Sequence, residues 1–299
     1  MTMNPTRTLR QLLQHEDLNF LLTNRVPRKL LTHLVGWYSQ IRSPVLTRLS
    51  IAVWRLFTDL DLGEARQQRF ASLHDCFTRE LKPGMRPVDA RTEVLASPSD
   101  GIVGACGPVR GTQVWQAKGF PYTLAELFGP SQDPSSFIDG CYVTLRLTSA
   151  MYHRFHAPHD ARLEHVTYLS GDTWNVNPIA LQRVEKLFCR NERAVLRLRL
   201  APELGGQPIA LVPVAAILVA SIRLHALNVL LHLRWKGPNE MPCDAAITKG
   251  QELGWFQHGS TIIVFAPKGF ALAEGVVPGA RVKAGQALMR LPPAAAATP

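Results

Sequence analysis

The run His258-Gly259-Ser260-Thr261-Ile262-Ile263-Val264-Phe265-Ala266-Pro267-Lys268-Gly269 reads as a turn feeding a short strand. Four apolar residues, three of them β-branched, end at a Pro and a Gly, which predicts a buried strand with Ser260 at its entrance. Gly259 permits backbone angles that other residues resist, and it leaves its own carbonyl unshielded from the next hydroxyl. That geometry favours attack by Ser260 on the chain's own peptide bond. A Gly-Ser-Thr triplet alone is equally an ordinary turn, so its surroundings must decide.

Outward from this strand the chain is β-like in texture. Gly101-Ile102-Val103-Gly104, Tyr142–Leu147, Ala194–Leu200 and the run from Ile209 to Ile222 are apolar stretches rich in branched residues, separated by Gly, Pro and Asp. They predict a predominantly antiparallel β domain with a few helices, one at Leu124–Phe128. Residues 1 to 65 are different. Leu12, Leu13, Leu18, Phe20, Leu21 and Leu22 precede Pro27; Leu30, Leu31, Leu34, Val35, Trp37 and Tyr38 gather on one helical face; beyond Pro44, Val45 to Phe57 form a third apolar-rich helix. Eight Arg or Lys stand against two acids between Met1 and Thr58. This suits helices lying in an anionic lipid surface, and equally a helical layer packed on the body with its arginines in water. The expected architecture is α+β: a basic helical, membrane-associating region over residues 1–69, a β-rich catalytic domain over 70–291 and a disordered Ala/Pro tail over 292–299. Lys82-Pro83-Gly84-Met85-Arg86-Pro87 reads as a connector.

Composition bounds the function. A chain of 299 residues, 46% hydrophobic, can bury a sizeable core, and a net charge of +10 draws it to something anionic. Nucleic acid is excluded as the partner because the basic residues are interleaved with bulky aliphatics and match no groove-reading or strand-binding motif. Five scattered cysteines without a Cys-x-x-Cys spacing indicate neither a disulfide framework nor zinc, and imply a reducing compartment. The N-terminus lacks a secretory pattern, and the run Ile209–Ile222, broken by Pro213, is too short to span a bilayer, so any membrane association is expected to be peripheral.

Two further stretches carry chemistry. Ser97-Pro98-Ser99-Asp100-Gly101 puts an acid in a turn before a strand. Tyr152-His153-Arg154-Phe155-His156-Ala157-Pro158 holds two histidines that share a face if the stretch is helical and oppose each other if it is extended. Neither this spacing nor the nearby His159 forms a helical zinc pair, so no metal is expected.

Together with Lys249–Thr261 and Phe265-Ala266-Pro267, these stretches resemble the pyruvoyl-dependent phosphatidylserine decarboxylases in their bacterial long form. Also similar are Gln116-Ala117-Lys118-Gly119 with Tyr122-Thr123-Leu124, Gly171–Asn177 and Leu187–Arg193, all in family order and spanning nearly the whole chain. The resemblance implies self-cleavage between Gly259 and Ser260, with Asp100, His156 and Ser260 as the processing triad. A base takes the hydroxyl proton and an acid steadies the imidazolium. Ester formation, elimination to dehydroalanine and hydrolysis would then release ammonia and leave a pyruvoyl group at residue 260, the electron sink for decarboxylation. His153 is the implied proton donor in that reaction, and Lys118, Arg154 and Arg193 are candidates for the head-group phosphate. The implied substrate is phosphatidylserine, turned into phosphatidylethanolamine and carbon dioxide. The implied partners are an anionic membrane surface on the cytoplasmic face of the cell membrane, the large and small chains of one precursor, and further copies in a homo-oligomer. Three positions depart from the family: His258 stands where Leu is usual, and Ala215 and Ala220 replace glycines, with consequences for processing and substrate fit.

Three other readings fit parts of the sequence. Gly275–Leu288 has the Gly-spaced turns of a biotinyl or lipoyl carrier but no modifiable Lys at a hairpin tip. A conventional serine hydrolase using the same Asp, His and Ser predicts an unbroken chain. An anionic-lipid-binding module would make the triad incidental.

Overall fold

The computed structural model describes residues 20, 27–117, 120–218, 221–257 and 260–293. The first expected helix around Leu12 to Leu22 (Phe20 apart), Lys118, Ala220, His258, Gly259 and residues 294–299 of the tail lie outside the described residues.

Helices α1 (Arg28–Ser39) and α2 (Pro44–Phe57) form where the apolar spacing places them. Ser43 caps α2 by accepting a bond from the Leu46 amide (3.4 Å), and Pro44 occupies the first turn, where a missing N–H costs nothing. Both helices dock through polar contacts. The Arg28 guanidinium bonds both oxygens of Asp172 (3.1 and 2.6 Å) and lies 3.7 Å over the Trp174 ring. Thr47 donates to the Ala71 carbonyl, and the Trp54 indole N–H reaches Ser149 while its ring stacks on Phe77 at 5.8 Å. Ala65, Phe70 and Cys76 pack with Ile51, Trp54 and Leu62, so one small cluster joins α2 to the start of the body. No helix among the described residues is long and apolar enough to cross a membrane.

The body is antiparallel throughout its named strands. In chain order these are β1 Val94–Ala96, β2 Gly101–Pro108, β3 Gln113–Ala117, β4 Phe120–Thr123, β5 Cys141–Leu147 and β6 Arg154–His156. Then come β7 Ala161–Leu169, β8 Arg193–Leu200, β9 Pro208–Ala215, β10 Ser221–Leu224, β11 Val229–His232 and β12 Glu240–Ile247. The last are β13 Glu252–Phe256, β14 Ser260–Ala266, β15 Ala271–Leu272, β16 Arg281–Val282 and β17 Ala287–Arg290. An eight-stranded sheet runs β12-β7-β8-β9-β14-β5-β2-β16, and a four-stranded sheet runs β11-β10-β13-β6. One core lies between the inner face of the large sheet and the smaller sheets, and includes Phe155, Ile222, Phe256, Ile262 and Val264. A second core covers the opposite face beneath the β3–β4 hairpin and the short helix Leu124–Phe128, and includes Phe128, Phe188, Ile263 and Phe265. Alternation along β14 thus supplies both cores, which is why its residues are all buried.

The topology contains a corner. Strands β9, β14 and β5 lie side by side in the large sheet, and their chain neighbours β10, β13 and β6 lie side by side in the same order in the small one. Three adjacent strands therefore leave one sheet for the other together, as strands do where two sheets meet at an angle. The apolar run from Ile209 to Ile222 is split by this corner into β9 and β10. Leu218, just past β9, has a φ of 90°, a strained value for a branched residue. Close packing beyond the corner depends on Gly254: a Cβ there would stand 1.8 Å from the Arg223 carbonyl oxygen of β10.

Candidate active site

Ser260 is the first residue of β14 and sits at the corner, paired to Leu147 on one side and Ala215 on the other. It is fully buried, and its Oγ has no hydrogen-bond partner among the described residues. An unpaired buried hydroxyl costs about 1–3 kcal/mol, so such a group calls for an explanation in function. The sequence places the serine at the strand entrance, and the structure agrees.

The histidine stretch is extended, so the two imidazoles point to opposite sides. His153 lies in the corner. Its carbonyl accepts from the Phe256 amide (2.9 Å), its ring stands 4.0 Å from the Phe77 ring, and its Nδ1 donates to the Met151 carbonyl at 2.8 Å. His156 lies at the far end of β6, opposite Glu252, roughly 10 Å along the strand from His153 at ~3.3 Å per residue. Its Nδ1 donates to the Gly250 carbonyl at 3.0 Å, which leaves the lone pair on Nε2, where the Tyr152 hydroxyl approaches to 3.1 Å. Burial holds the His156 imidazole below the ordinary histidine value, so it is neutral near pH 7, as a base must be.

Asp100 enters the same neighbourhood through the Pro98 carbonyl, which accepts from the His156 amide (2.8 Å). Its carboxylate is gripped by Arg86 at 2.7 and 2.6 Å and accepts the Ala284 amide at 3.0 Å. Arg86 in turn lies 5.7 Å over the Tyr152 ring, so Asp100 and His156 are joined through Arg86 and Tyr152, and the Gly250 carbonyl is what fixes the imidazole tautomer. Beside Asp100 is a cavity of about 490 Å³ lined by Arg79, Arg86, Asp100, Tyr152 and Lys283 among others.

The proposed phosphate ligands fare unequally. Arg193 is buried and donates to the carbonyls of Leu127, Cys189, Asn191 and Glu126 at 2.5 to 3.1 Å, a structural clamp. Arg154 donates from Nε to the Thr78 carbonyl and from Nη1 to Glu252 (all at 2.9 to 3.1 Å). Lys118 lies outside the described residues. His159 is held between the Thr92 carbonyl and the Asp160 amide, both at 2.8 Å, and no cluster of metal-binding side chains occurs among the described residues.

Sequence reasoning missed three groups. Arg86, read as part of a connector, is the partner of Asp100. Glu192 is buried beside Ala215, whose amide donates to the Glu192 carbonyl at 2.8 Å; one carboxyl oxygen contacts the Tyr168 hydroxyl and the other has no partner among the described residues. Burial pushes its carboxyl up to about 7. Ser221 opens β10 next to the corner, accepts the Gln257 amide on its carbonyl (3.3 Å), and has a buried, unpartnered Oγ. Glu192 falls within the family-like stretch Leu187–Arg193, but no local pattern marks the role of any of the three, since each acquires it from segments distant in sequence.

Comparison with known proteins identifies the family of the chain. A family model described as phosphatidylserine decarboxylase matches residues 73–290. The phosphatidylserine decarboxylase proenzyme of Shewanella sp. strain ANA-3 is 35% identical over 278 residues, covering 89% of this chain and 94% of the relative. The protein of that name from Shewanella woodyi is 32% identical over 288 residues, covering 92% and 99%.

Proposed function

The chain belongs to the phosphatidylserine decarboxylase family, and from that membership we propose how its own residues carry out processing and decarboxylation. It is a carboxy-lyase of phospholipid synthesis, made as a proenzyme. The observation that carries the proposal is Ser260: a fully buried hydroxyl without a partner among the described residues, on the first residue of a central strand. Ser260 Oγ attacks the Gly259 carbonyl carbon, the peptide C–N bond breaks, and the freed amine keeps the proton relayed from the hydroxyl. Loss of the residue-260 α-proton then expels the Gly259 carboxylate and leaves dehydroalanine, whose imine tautomer is hydrolysed by water to a pyruvoyl group at residue 260 with release of ammonia. When formed, that group supplies the electron sink that loss of carbon dioxide requires.

His156 is the proposed base. Taking the proton requires its Nε2 to give up the Tyr152 hydroxyl and the His156 end of β6 to move toward Ser260, since His156 lies roughly 10 Å along the strand from His153 in the corner. Asp100 is the proposed supporting charge, and its field favours the protonated imidazole. His153 is the proposed proton donor to the decarboxylated carbon, a role that its place in the corner suits. The division into a membrane-associating part, residues 1–69, and a catalytic part, 70–291, is adopted on the same footing.

We propose further that the chain works as a peripheral protein on the cytoplasmic face of the cell membrane. Supporting this, α1 and α2 expose Leu30, Leu34, Trp37 (69%), Val45 (77%), Leu49 (62%) and Leu56 to solvent at helical spacing, with Arg48 and Arg55 also exposed on α2. Intact-mass analysis and denaturing electrophoresis test the central step. The wild-type chain should split into a piece ending at Gly259 and a short piece with a carbonyl-bearing N-terminus. Ser260→Ala should remain one inactive chain; its efficient splitting would exclude Ser260 as the nucleophile. His156→Ala should block splitting, whereas His153→Ala should split and fail to decarboxylate.

A further inference from the structure

A cavity of about 260 Å³ opens between α1 and the β10–β11 hairpin. Its wall includes His33, Trp37, Ser221, His232, Arg234 and Gln257. No Asp or Glu is among the described residues that line it, so three groups able to carry positive charge face a common space without a counter-charge. His232 Nδ1 accepts the Arg234 amide at 3.1 Å, which puts the ring proton on Nε2 as a donor. Ser221 is 3% exposed, and its buried hydroxyl has no partner among the described residues. Burial, with Arg234 close by, holds both imidazoles below the ordinary histidine value, the direction an arriving anion would reverse.

Position supplies the ligand's identity. Gln257 is three residues from Ser260, and its amide bonds the Ser221 carbonyl, so the inner end of the cavity abuts the corner. At the outer end is Trp37, which belongs to the exposed apolar face of α1 together with Leu30 and Leu34. A phospholipid presents three parts in fixed order: acyl chains, phosphodiester, amino-acid head. The protein presents an apolar face, an acid-free pocket of donors and a buried serine in the same order. We infer that this cavity holds the phosphodiester of the substrate, with Arg234, His33, His232 Nε2 and Ser221 Oγ as donors to its oxygens. The inference rests on the decarboxylase reading and adds to it the site of the head group's charge.

The test is steady-state kinetics on the processed enzyme with short-chain, soluble phosphatidylserine, comparing wild type with His33→Gln and Arg234→Gln. Each variant should split normally, raise KM about tenfold and leave kcat within a factor of about two, because the lost contact is made equally before and during the reaction. Glycerophosphoethanolamine should inhibit the wild type competitively and the variants much more weakly, while inorganic phosphate at equal concentration should inhibit less, lacking the bridging ester. Unchanged KM and unchanged inhibition in Arg234→Gln, whose exposed side chain makes no demand on folding, would overturn the pocket assignment with the decarboxylase reading intact. Stronger inhibition by inorganic phosphate than by the diester would overturn it too, marking a simple anion site. A wild-type enzyme that splits but releases no carbon dioxide overturns the decarboxylase reading, and the pocket with it.

Discussion

Helices α1 and α2 bury Thr32, Ser39 and Thr47 and turn Leu34, Trp37, Val45 and Leu49 to solvent, whereas the body around β14 buries Ser260, Ser221 and Glu192 among its leucines and valines. Both arrangements invert the usual preference, in opposite senses. Apolar side chains held in water forgo ~25 cal/mol per Å², so the helical face must recover that free energy elsewhere, and a lipid surface offers it. The Ser260 and Ser221 hydroxyls and one Glu192 oxygen have lost their water without gaining a partner among the described residues, a loss that calls for an explanation in function. The helical layer therefore should contribute to binding and little to stability, and the buried polar groups should govern stability and reaction.

The largest effect lies in the body. Arg193→Met removes the donors to four carbonyls, and the chain should lose roughly 3–5 kcal/mol in denaturant unfolding. A loss below about 1 kcal/mol would show that water reaches those carbonyls and would return Arg193 to the pool of possible ligands. Next comes Glu192. Folded, it keeps its proton to about pH 7, against an ordinary value of 4.5, so the folded state binds more protons between the two and stability falls as pH rises through that window. The fall should be on the order of 3 kcal/mol, because the slope across that window is ~1.4 kcal/mol for each step of one in pH. In Glu192→Gln the part of the pH dependence due to this group should vanish; the same slope in both proteins would mean that the carboxyl is hydrated and ordinary. His156 acts in the other direction, because its folded value is depressed, but it is common to both proteins and cancels in the comparison.

The helices should answer differently. Leu34→Ser with Trp37→Ser removes two exposed apolar groups, and binding to vesicles containing anionic lipid should weaken by roughly two to four orders of magnitude if both are fully buried in lipid, at ~1.5–3 kcal/mol for each large side chain and ~1.4 kcal/mol per tenfold. Thermal stability and self-splitting should be unchanged. Raising salt should weaken binding further, since the exposed arginines of α2 act through a screened field. A large drop in stability instead would mean that the face is covered within the protein's own assembly.

Much of this contrast is legible in the sequence, and its limits have a physical cause. The helices at 28–39 and 44–57, the strand opening at Ser260 and the helix at Leu124–Phe128 follow from local spacing and capping. Which face of α2 is buried does not, because periodicity finds an apolar stripe without saying whether it meets protein or lipid. The order β9-β14-β5 and its continuation β10-β13-β6 depend on pairings between segments distant in the chain, and it is this corner that brings Ser221, His153 and Ser260 into one region. Arg193 and Arg86 show the same limit. A guanidinium reads as available until the carbonyls or the carboxylate that occupy it are seen.

The smallest effect cuts closest to the comparison. Thr47 is the buried residue of α2, and its hydroxyl donates to the Ala71 carbonyl across 3.3 Å. Valine has nearly the same shape and a similar helix propensity, so Thr47→Val exchanges one weak hydrogen bond for apolar contact and little else. A net hydrogen bond contributes ~0.5–1.5 kcal/mol, and one this long belongs at the low end, so the loss should be under about 1 kcal/mol with vesicle binding unchanged. If Thr47→Val instead stabilises the chain by more than about 1 kcal/mol and weakens vesicle binding, then an apolar inward face is the better one for this helix. Its outward leucines would then owe their exposure to the threonine, and polarity on the buried side would itself be the device that keeps the opposite face available to lipid.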